Sequence, residues 1–295
     1  MPVFLLNLLN RWFEISMEKP LVTIAISFYN VEKFLPYAIM SVINQSYNNW
    51  ELFLIDDGSS DQSVMVAKEF VNKDKRIKLI SDGKNKGLAA RLNESVEMAN
   101  GDFYARMDAD DIMVINRIDE QVSFLSEHPD VDVVGSSAMV IDINNNIINS
   151  MDYTGVYDTF IHPTIMTRPQ WLKRNRYNDN LKMSEDYELW LRTQGTNTFF
   201  NLSQPLLFYR IYNDESYQKK LRAFKTLTPI YSNYKSYGKS FTWFLKSFLI
   251  SFFKIIIYWI CFHFKCMKSL NKKRWNRKLQ SELLLLSDDL MRAIS

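Results

Sequence analysis

Three carboxylates lie within four residues at the end of a short apolar run, in the stretch 106–111 (Arg-Met-Asp-Ala-Asp-Asp). Like charges this close are costly to hold together in a fold, so a cation is expected to compensate them. Asp108 and Asp110 are two residues apart. At the end of a strand both can offer hard oxygen ligands to Mg²⁺ or Mn²⁺. The alternative is an acidic turn after a strand, which Asp-rich loops commonly form.

Alternating strand and helix patterns from residue 21 onward could position these carboxylates. Runs of β-forming residues predict strands at 21–28, 51–55, 77–80 and 103–107, and apolar residues at helical spacing predict helices at 34–43, 64–71 and 88–99. Strands separated by helices form right-handed βαβ units. The sequence therefore predicts an α/β fold with a mostly parallel, Rossmann-like sheet that has helices on both faces.

A polar cluster follows each of the four predicted strands, at 27–30, 56–59, 81–87 and 108–111. Ligands of such sheets bind outside the carboxyl ends of the strands, so one cleft explains these clusters better than four unrelated loops. The chain has neither a G-x-x-x-x-G-K-[ST] loop nor a G-x-G-x-x-G fingerprint, which disfavours the usual mononucleotide and dinucleotide folds. The phosphates of a ligand would then be met by the metal.

Six motifs resemble, in order and spacing, those of the family 2 glycosyltransferases. They are Val-Thr-Ile-Ala-Ile-Ser-Phe-Tyr-Asn at 22–30, Ser-Val-Ile-Asn-Gln-Ser at 41–46, Glu-Leu-Phe-Leu-Ile-Asp-Asp-Gly-Ser-Ser-Asp at 51–61, Asn-Lys-Gly-Leu-Ala-Ala-Arg-Leu-Asn at 85–93, Asp-Ala-Asp-Asp at 108–111 and Glu-Asp at 185–186. The resemblance covers residues 20–212. It implies an inverting enzyme of the GT-A fold that uses a nucleotide-sugar donor, as bacterial polysaccharide, O-antigen and capsule glycosyltransferases do.

The same resemblance implies roles for individual residues. Asp57 would accept a hydrogen bond from a uracil N–H, Asp108 would meet the ribose or the metal, and Asp110 would be the main metal ligand. The nucleotide-binding residues implied in this way are Ser27, Tyr29, Asn30, Glu32, Asp57, Lys84, Gly87, Arg91 and Asp108.

A second acidic pair, Glu185 and Asp186, falls in the predicted first turn of a helix that Ser184 can cap. Displacement of a nucleoside diphosphate from a sugar needs a general base for the acceptor hydroxyl, on the opposite face of the sugar ring. Helix capping is the structural alternative for this pair. The resemblance favours Asp186 as the base and Glu185 as a neighbour that binds the acceptor or orients the loop.

Four further residues are candidates for contact with the acceptor or the diphosphate: His162, Arg168, Trp190 and Arg210. Simpler roles exist for two of them, since His162 lies beside a proline in a loop and Trp190 could pack in the core. Tyr212 occupies a place where relatives often carry a histidine near the pyrophosphate.

Composition limits the class of protein. The chain has 295 residues and 47% of them are hydrophobic, which suits one large core or a domain with an appendage and excludes disorder as the main state. Two cysteines without histidines at metal spacing indicate neither a disulfide framework nor a zinc site. We divide the chain into an apolar extension (1–20) that lacks signal-peptide features, a GT-A catalytic domain (21–215) and a helical C-terminal region (216–295).

The C-terminal region is strongly basic. Residues 216–281 contain 15 Lys or Arg and no Asp or Glu, whereas 21 basic residues face 33 acidic ones elsewhere. Residues 241–264 are apolar over nearly the length of a membrane span, but Lys246 and Lys254 interrupt them. With the basic cluster at 265–278, this pattern predicts a helix in the interface of an anionic membrane. A transmembrane helix and a hairpin packed on the catalytic domain are the alternatives.

Together these patterns predict a metal-dependent glycosyltransferase that moves a sugar from a UDP-sugar or another nucleotide-sugar to a saccharide acceptor. We expect a lipid-linked acceptor, a peripheral place on the cytoplasmic face of the plasma membrane and no nucleic-acid partner. We also expect a chain that ends at residue 212 to keep donor binding. The alternative is a nucleotide-binding or nucleotidyltransferase-like protein on a similar sheet, but such a protein should carry a Gly-rich loop where this chain has Ser-Phe-Tyr-Asn.

Overall fold

The computed structural model describes residues 19–152, 160–212, 217–263 and 283–294. Most of the predicted N-terminal extension and the basic cluster at 265–278 therefore lie outside the described residues. The strands are β1 Val22–Phe28, β2 Trp50–Asp56, β3 Ile77–Ile80, β4 Phe103–Asp108, β5 Ile112–Met113, β6 Val133–Ile141, β7 Ile147–Met151, β8 Met166–Thr167 and β9 Phe199–Arg210. The helices are α1 Leu35–Ile43, α2 Ser63–Val71, α3 Leu88–Met98, α4 Arg117–Glu127, α5 Pro169–Arg174, α6 Glu185–Thr193, α7 Tyr217–Ser232, α8 Phe241–His263 and α9 Leu283–Ile294.

Within the described residues the strands form one mixed sheet in the order β3-β2-β1-β4-β8-β6-β9-β5, with β7 paired to β6. Strands β3, β2, β1 and β4 are parallel, as the βαβ pattern predicts. The predicted α/β fold is therefore confirmed. The second half of the sheet adds antiparallel pairs, because β8 enters between β4 and β6 against the direction of both. Strands β6 and β9 again run parallel.

The central strands are buried on both faces, which explains their nearly continuous apolar sequences. Ile24 and Leu52 point into the larger core cluster, which includes residues of α1. Their neighbours Ala25 and Phe53 point into a second cluster with Leu92 of α3. Because side chains alternate along a strand, β1 and β2 separate the two clusters. Since the two strands are parallel, their carboxyl ends lie at the same edge of the sheet.

Helices α7 and α8 pack against each other as a hairpin, in which Phe224 contacts Phe248 and Phe252. The segment Phe241–Ile260 of α8 is the one helix in the described part of the chain that is long and apolar enough to cross a membrane, and none of that segment is buried. The structure thus contains a helical hairpin, but the alternative that the sequence left open was a hairpin packed on the catalytic domain, and α8 is not buried in this way. It leaves the outer side of α8 open.

Helix α9 returns to the sheet. Leu290 and Ala293 are buried in a third core cluster with Ile112 of β5 and Phe208 of β9. The side-chain amide of Asn44 donates to the carbonyl oxygens of Arg292 (3.3 Å) and Ala293 (3.2 Å), which fixes the end of α9 beside α1. This part of the C-terminal region therefore packs on the predicted catalytic domain.

Candidate active site

The predicted polar clusters come together at the carboxyl edge of the parallel strands. Ser27 at the end of β1 is the register partner of Ile55 on β2 and of Asp108 on β4. The Ser27 hydroxyl is buried without a hydrogen-bond partner among the described residues, while the next side chain but one, Tyr29, is 53% exposed. The Tyr29 ring is therefore accessible to a ligand, and Ser27 places an unused hydrogen-bonding group at the same edge.

Asp57 joins the loop after β2 to the start of α3. Its carboxylate accepts hydrogen bonds from the backbone N–H groups of Lys86 (2.7 Å) and Gly87 (3.1 Å), and from Nε of Arg91 at 3.0 Å. Gly87 has φ +89°, a backbone conformation that side chains with a Cβ rarely adopt. The Gly87 N–H is also 3.1 Å from Oδ2. Because the other three contacts all use Oδ1, Oδ2 keeps capacity for the predicted nucleobase contact.

Arg91 holds this loop from inside the protein. Its guanidinium is fully buried and makes ion pairs with Asp57, Asp82 (2.6 Å) and Glu94 (2.9 Å). A buried side chain with these partners is not free to contact a nucleotide, so we correct its predicted role to loop ordering. Lys84 is exposed, and its carbonyl oxygen accepts a further bond from Arg91.

Asn30 and Glu32 also bind protein groups. Asn30, at φ +50°, accepts hydrogen bonds at Oδ1 from the backbone N–H groups of Ser60 and Asp61. Glu32 accepts one from the N–H of Gln62 at 2.7 Å. Their side chains fasten the loop after β1 to the loop after β2, and both residues are exposed, so a part in nucleotide binding stays a prediction for them.

Asp108, Asp110 and Asp111 each direct a carboxylate oxygen to within 4.8 Å of the others. Asp111 accepts the N–H of Arg210 at Oδ1 (2.8 Å), while its buried Oδ2 has no hydrogen-bond partner in the described part of the chain. Burial, and then the neighbouring carboxylates, raise the pKa of Asp110 and of Asp111. A divalent cation would relieve this repulsion and satisfy the open oxygen, so the three residues fit such an ion.

Positive charge surrounds the acidic group. Arg106 is buried and its Nη2 bonds to Asp108, while its Nε and Nη1 have no partner among the described residues. Arg210 donates from Nε to the Asp110 carbonyl oxygen (2.7 Å), which places this predicted residue beside the acidic loop. Tyr212 donates its hydroxyl to Asp110 Oδ2.

The second acidic pair opens α6. Ser184 has φ +65° and makes no side-chain capping bond, so the predicted capping is wrong. Asp186 Oδ1 accepts the N–H of Tyr187 at 2.7 Å. Burial, and then the charge of Asp186, raise the pKa of Glu185 to about 7, and burial raises the pKa of Asp186. A carboxylate that gains basicity from burial suits the acceptance of a proton.

His162 lies against this pair. Its Nδ1 is 3.8 Å from Glu185 Oε1 and 4.0 Å from Asp186 Oδ2, and its Nε2 is 2.9 Å from the Tyr177 hydroxyl. Burial, and then the charge of Arg106, lower the pKa of His162, so the ring is neutral. The structure therefore brings the predicted residue His162 next to the predicted base.

Two predicted site residues lie elsewhere. Trp190 is 1% exposed and packs against Phe160 and Trp171 (4.9 and 6.3 Å between ring centroids), so it cannot stack on a sugar. Arg168 lies over Phe103, the first residue of β4, and is therefore at the opposite end of that strand from Asp108. Its guanidinium donates to the carbonyl oxygens of Val131 and Leu125. Both predictions of acceptor or diphosphate contact are wrong.

Sequence reasoning missed Arg106 and Tyr177 as members of the site. Arg106 carried a signal, since a cation within a buried strand needs a partner. Tyr177 carried none, because nothing in the sequence shows that it meets His162.

Comparisons with known proteins concern the family and the fold of the chain. Residues 23–201 match the model of the family described as glycosyl transferase family 2. An uncharacterized glycosyltransferase of Methanocaldococcus jannaschii is 30% identical over 262 residues, which are 82% of this chain and 89% of that protein. The UDP-Glc:alpha-D-GlcNAc-diphosphoundecaprenol beta-1,3-glucosyltransferase of Escherichia coli is 32% identical over 190 residues, 59% of this chain and 70% of that protein.

A solved structure shares the fold. The crystal structure of S. aureus TarS in complex with UDP-GlcNAc superimposes with a TM-score of 0.62 at 19% identity, covering 79% of this chain and 72% of that chain.

Proposed function

The chain belongs to glycosyl transferase family 2, and from this premise we propose that it transfers a sugar from a UDP-sugar to a saccharide acceptor with inversion at the anomeric carbon. The observation that carries the proposal is that two acidic clusters share one site: the cluster at 108–111 and the pair at 185–186. Arg106 bonds to Asp108 in the first cluster, and its charge also acts on Glu185 in the second. Family membership favours this enzyme class over the nucleotidyltransferase-like alternative.

The donor would lie across the ends of β1, β2 and β4. The groups offered to the nucleoside are the Ser27 hydroxyl, which has no partner in the described part of the chain, the exposed Tyr29 and Asp57 Oδ2. The name of the E. coli relative includes UDP-Glc, and the TarS structure holds UDP-GlcNAc, which supports a uridine nucleotide here.

Asp108 and Asp110, with Asp111 beside them, would hold a divalent ion, Mg²⁺ or Mn²⁺. Such an ion supplies neutralisation of the negative charge that develops on the leaving diphosphate. Arg210, held on the Asp110 carbonyl oxygen, adds a fixed positive charge at the same place.

Asp186 would accept the proton of the attacking hydroxyl. Its Oδ1 is held by the Tyr187 N–H, which leaves Oδ2, on the side of His162, to take the proton. Glu185 and neutral His162 would lie beside Asp186 and keep its carboxylate in place. Inversion follows from attack on the face opposite the leaving group, with Asp186 on the acceptor side.

We further infer a lipid-linked acceptor and a peripheral location on the cytoplasmic face of the plasma membrane. Support comes from the name of the E. coli relative, which specifies a diphosphoundecaprenol acceptor, and from the basic and apolar composition of residues 216–281. Flotation with neutral and anionic vesicles at low and high salt tests this location. Binding that is equal for both vesicle types at every salt concentration would contradict an electrostatic attachment.

Release of UDP from a panel of UDP-sugars, with Mg²⁺, with Mn²⁺ and with a chelator, tests the proposed reaction class. We expect one donor to be hydrolysed or transferred preferentially and only with the metal. Undiminished turnover in the chelator would contradict the role of the acidic group, and failure to bind any UDP-sugar would contradict the donor class.

A further inference from the structure

The outer side of α8 forms an apolar surface that no described element covers. Its five members are between 40% and 57% exposed: Leu249, Ile250, Phe253, Ile257 and Ile260. We call this set the outer face. Lys246 and Lys254 are exposed among them, and residues 217–263 contain eight Lys or Arg and no Asp or Glu. A surface of this composition fits the headgroup region of an anionic bilayer.

On the inner side of α8, Tyr231 of α7 makes two contacts in addition to those of Phe224. The Tyr231 hydroxyl is 3.0 Å from Ser251 Oγ on α8, and the Tyr231 ring lies edge-on to Trp243 at 5.9 Å between centroids. Tyr231 is only 6% exposed. The hairpin therefore holds this ring in a fixed position behind the outer face.

Tyr231 also contacts the helix that bears the acid pair. Its ring meets the ring of Tyr187 at 6.3 Å and an interplanar angle of 89°, an edge-to-face arrangement. The N–H of Tyr187 is the group that bonds to Asp186 Oδ1. The contact between Tyr231 and Tyr187 thus connects the α7–α8 hairpin to the backbone N–H that holds the Asp186 carboxylate.

We propose that Tyr231 is a positioning residue that joins the bilayer-docking hairpin to α6, so that Asp186 is held at a fixed place relative to the membrane surface. The inference rests on the proposed function, in which Asp186 is the base and the acceptor comes from a bilayer. Loss of the contact removes one support of Tyr187, while the hydrogen bond of Tyr237 to Glu188 on the same helix remains. The carboxylate bonded to the Tyr187 N–H then loses part of its fixed position. A small displacement of a base lowers turnover without changing donor binding.

A double-mutant cycle on the full chain tests this proposal, using Tyr187→Ala, Tyr231→Ala and the double variant. The readouts are kcat and KM for UDP release from the preferred UDP-sugar, and the Kd of UDP, on vesicles of equal parts phosphatidylcholine and phosphatidylglycerol. We expect each single variant to lower kcat by about tenfold with KM and Kd unchanged, and the double variant to be no worse than either. Additive losses, or unchanged kcat in either single variant, would overturn the proposal.

Phe252→Ala is the matched control, because among the described residues the Phe252 ring meets only rings of the same hairpin, those of Phe224, Phe248 and Phe253. It should leave kcat unchanged, and an equal loss of kcat there would overturn the proposal. Thermal denaturation identifies variants that fail to fold. If Tyr231→Ala fails to fold, Tyr187→Ala tests the contact alone, because the Tyr187 side chain is less buried than that of Tyr231.

Two more variants separate this inference from the function on which it rests. If Asp186→Asn leaves turnover intact, the proposed base is wrong whatever the cycle shows. The outer-face variant Phe253→Ser with Ile257→Ser should reduce flotation with these vesicles, and undiminished flotation would overturn the docking part. If both behave as expected and the cycle shows no coupling, the positioning role of Tyr231 alone is wrong.

Discussion

The Tyr212 hydroxyl donates a hydrogen bond of 2.8 Å to Asp110 Oδ2, so a phenol of the chain itself occupies an oxygen of the predicted main metal ligand. Burial, and then the charge of Asp110, raise the pKa of Tyr212, so it remains a donor at neutral pH. Its ring packs edge-on against Phe34 at 5.9 Å. A metal ion that uses the same lone pair of Oδ2 must therefore displace this hydroxyl.

Tyr212→Phe should strengthen divalent-ion binding in the presence of UDP. The hydrogen bond is worth about 0.5–1.5 kcal/mol net, so its removal should lower the Kd of Mn²⁺ by about two- to tenfold. Titration with Mn²⁺ measures this directly and does not depend on turnover. A weaker affinity would mean that the hydroxyl orients Asp110 for the metal rather than competing with it.

Asp110→Asn should nearly abolish both transfer and metal-dependent UDP binding, because it removes the charge that holds the ion beside Asp108. Calorimetry with UDP, with and without Mn²⁺, is the measurement. The exposed Asp130→Asn makes the same chemical change away from the site and should behave as the unaltered protein. Metal-dependent UDP binding that survives in Asp110→Asn would contradict the assignment.

Asp186→Asn should lower turnover by about 10² or more while UDP affinity stays the same, since general-base catalysis contributes on that scale. Steady-state rates and UDP titration on one preparation separate the two effects. An equal loss of affinity and turnover would make Asp186 a binding residue.

Glu185→Gln should stabilise the protein above neutral pH. Burial and the charge of Asp186 raise the pKa of Glu185 to about 7 from 4.5, so the folded state holds a proton that the unfolded state releases. Stability contributed by this group therefore falls as pH rises from 4.5 to 7. At pH 8 the variant should be more stable by on the order of 2–3 kcal/mol, and the difference should vanish near pH 4.5. Chemical denaturation at both pH values measures it, with Glu127→Gln as control.

Leu290→Ala should destabilise the protein by about 2–4 kcal/mol, the usual cost of truncating a buried leucine. The side chain fills the cluster behind β5, beside Ile112 and Phe208. Met291→Ala, on the same helix but 61% exposed, is the matched control and should change stability by less than about 0.5 kcal/mol. Equal effects of the two variants would mean that α9 does not pack as described.

The first half of the fold could be predicted because its information is local. Parallel strands such as β1 and β2 are apolar throughout, and the helices between them show helical spacing, so periodicity alone identifies them. The second half depends on distant pairings. The two-residue strands β5 and β8 have no periodicity of their own and exist only because β9, β4 and β6 pair with them.

The candidate site divides in the same way. The acidic motif and the Glu185–Asp186 pair could be found because each is a short run of carboxylates. Whether a long side chain such as Arg91 or Arg168 faces a ligand or the protein depends on partners far away in sequence, which composition cannot supply. The meeting of His162 with Tyr177 and Glu185 is likewise a product of the fold.

Because α9 packs on β5 and α1, the C-terminal helical region is attached to the predicted catalytic domain at its far end and is not a free tail. Helix α7 begins at Tyr217, and further along the chain Leu290 and Ala293 of α9 pack in the core beside β5 and β9. A single proteolytic cut between residues 264 and 282 should therefore yield two fragments that remain together until denatured. A chain that ends at residue 212, expected from the sequence to keep donor binding, would lack this closing piece and expose the apolar surface around Phe208.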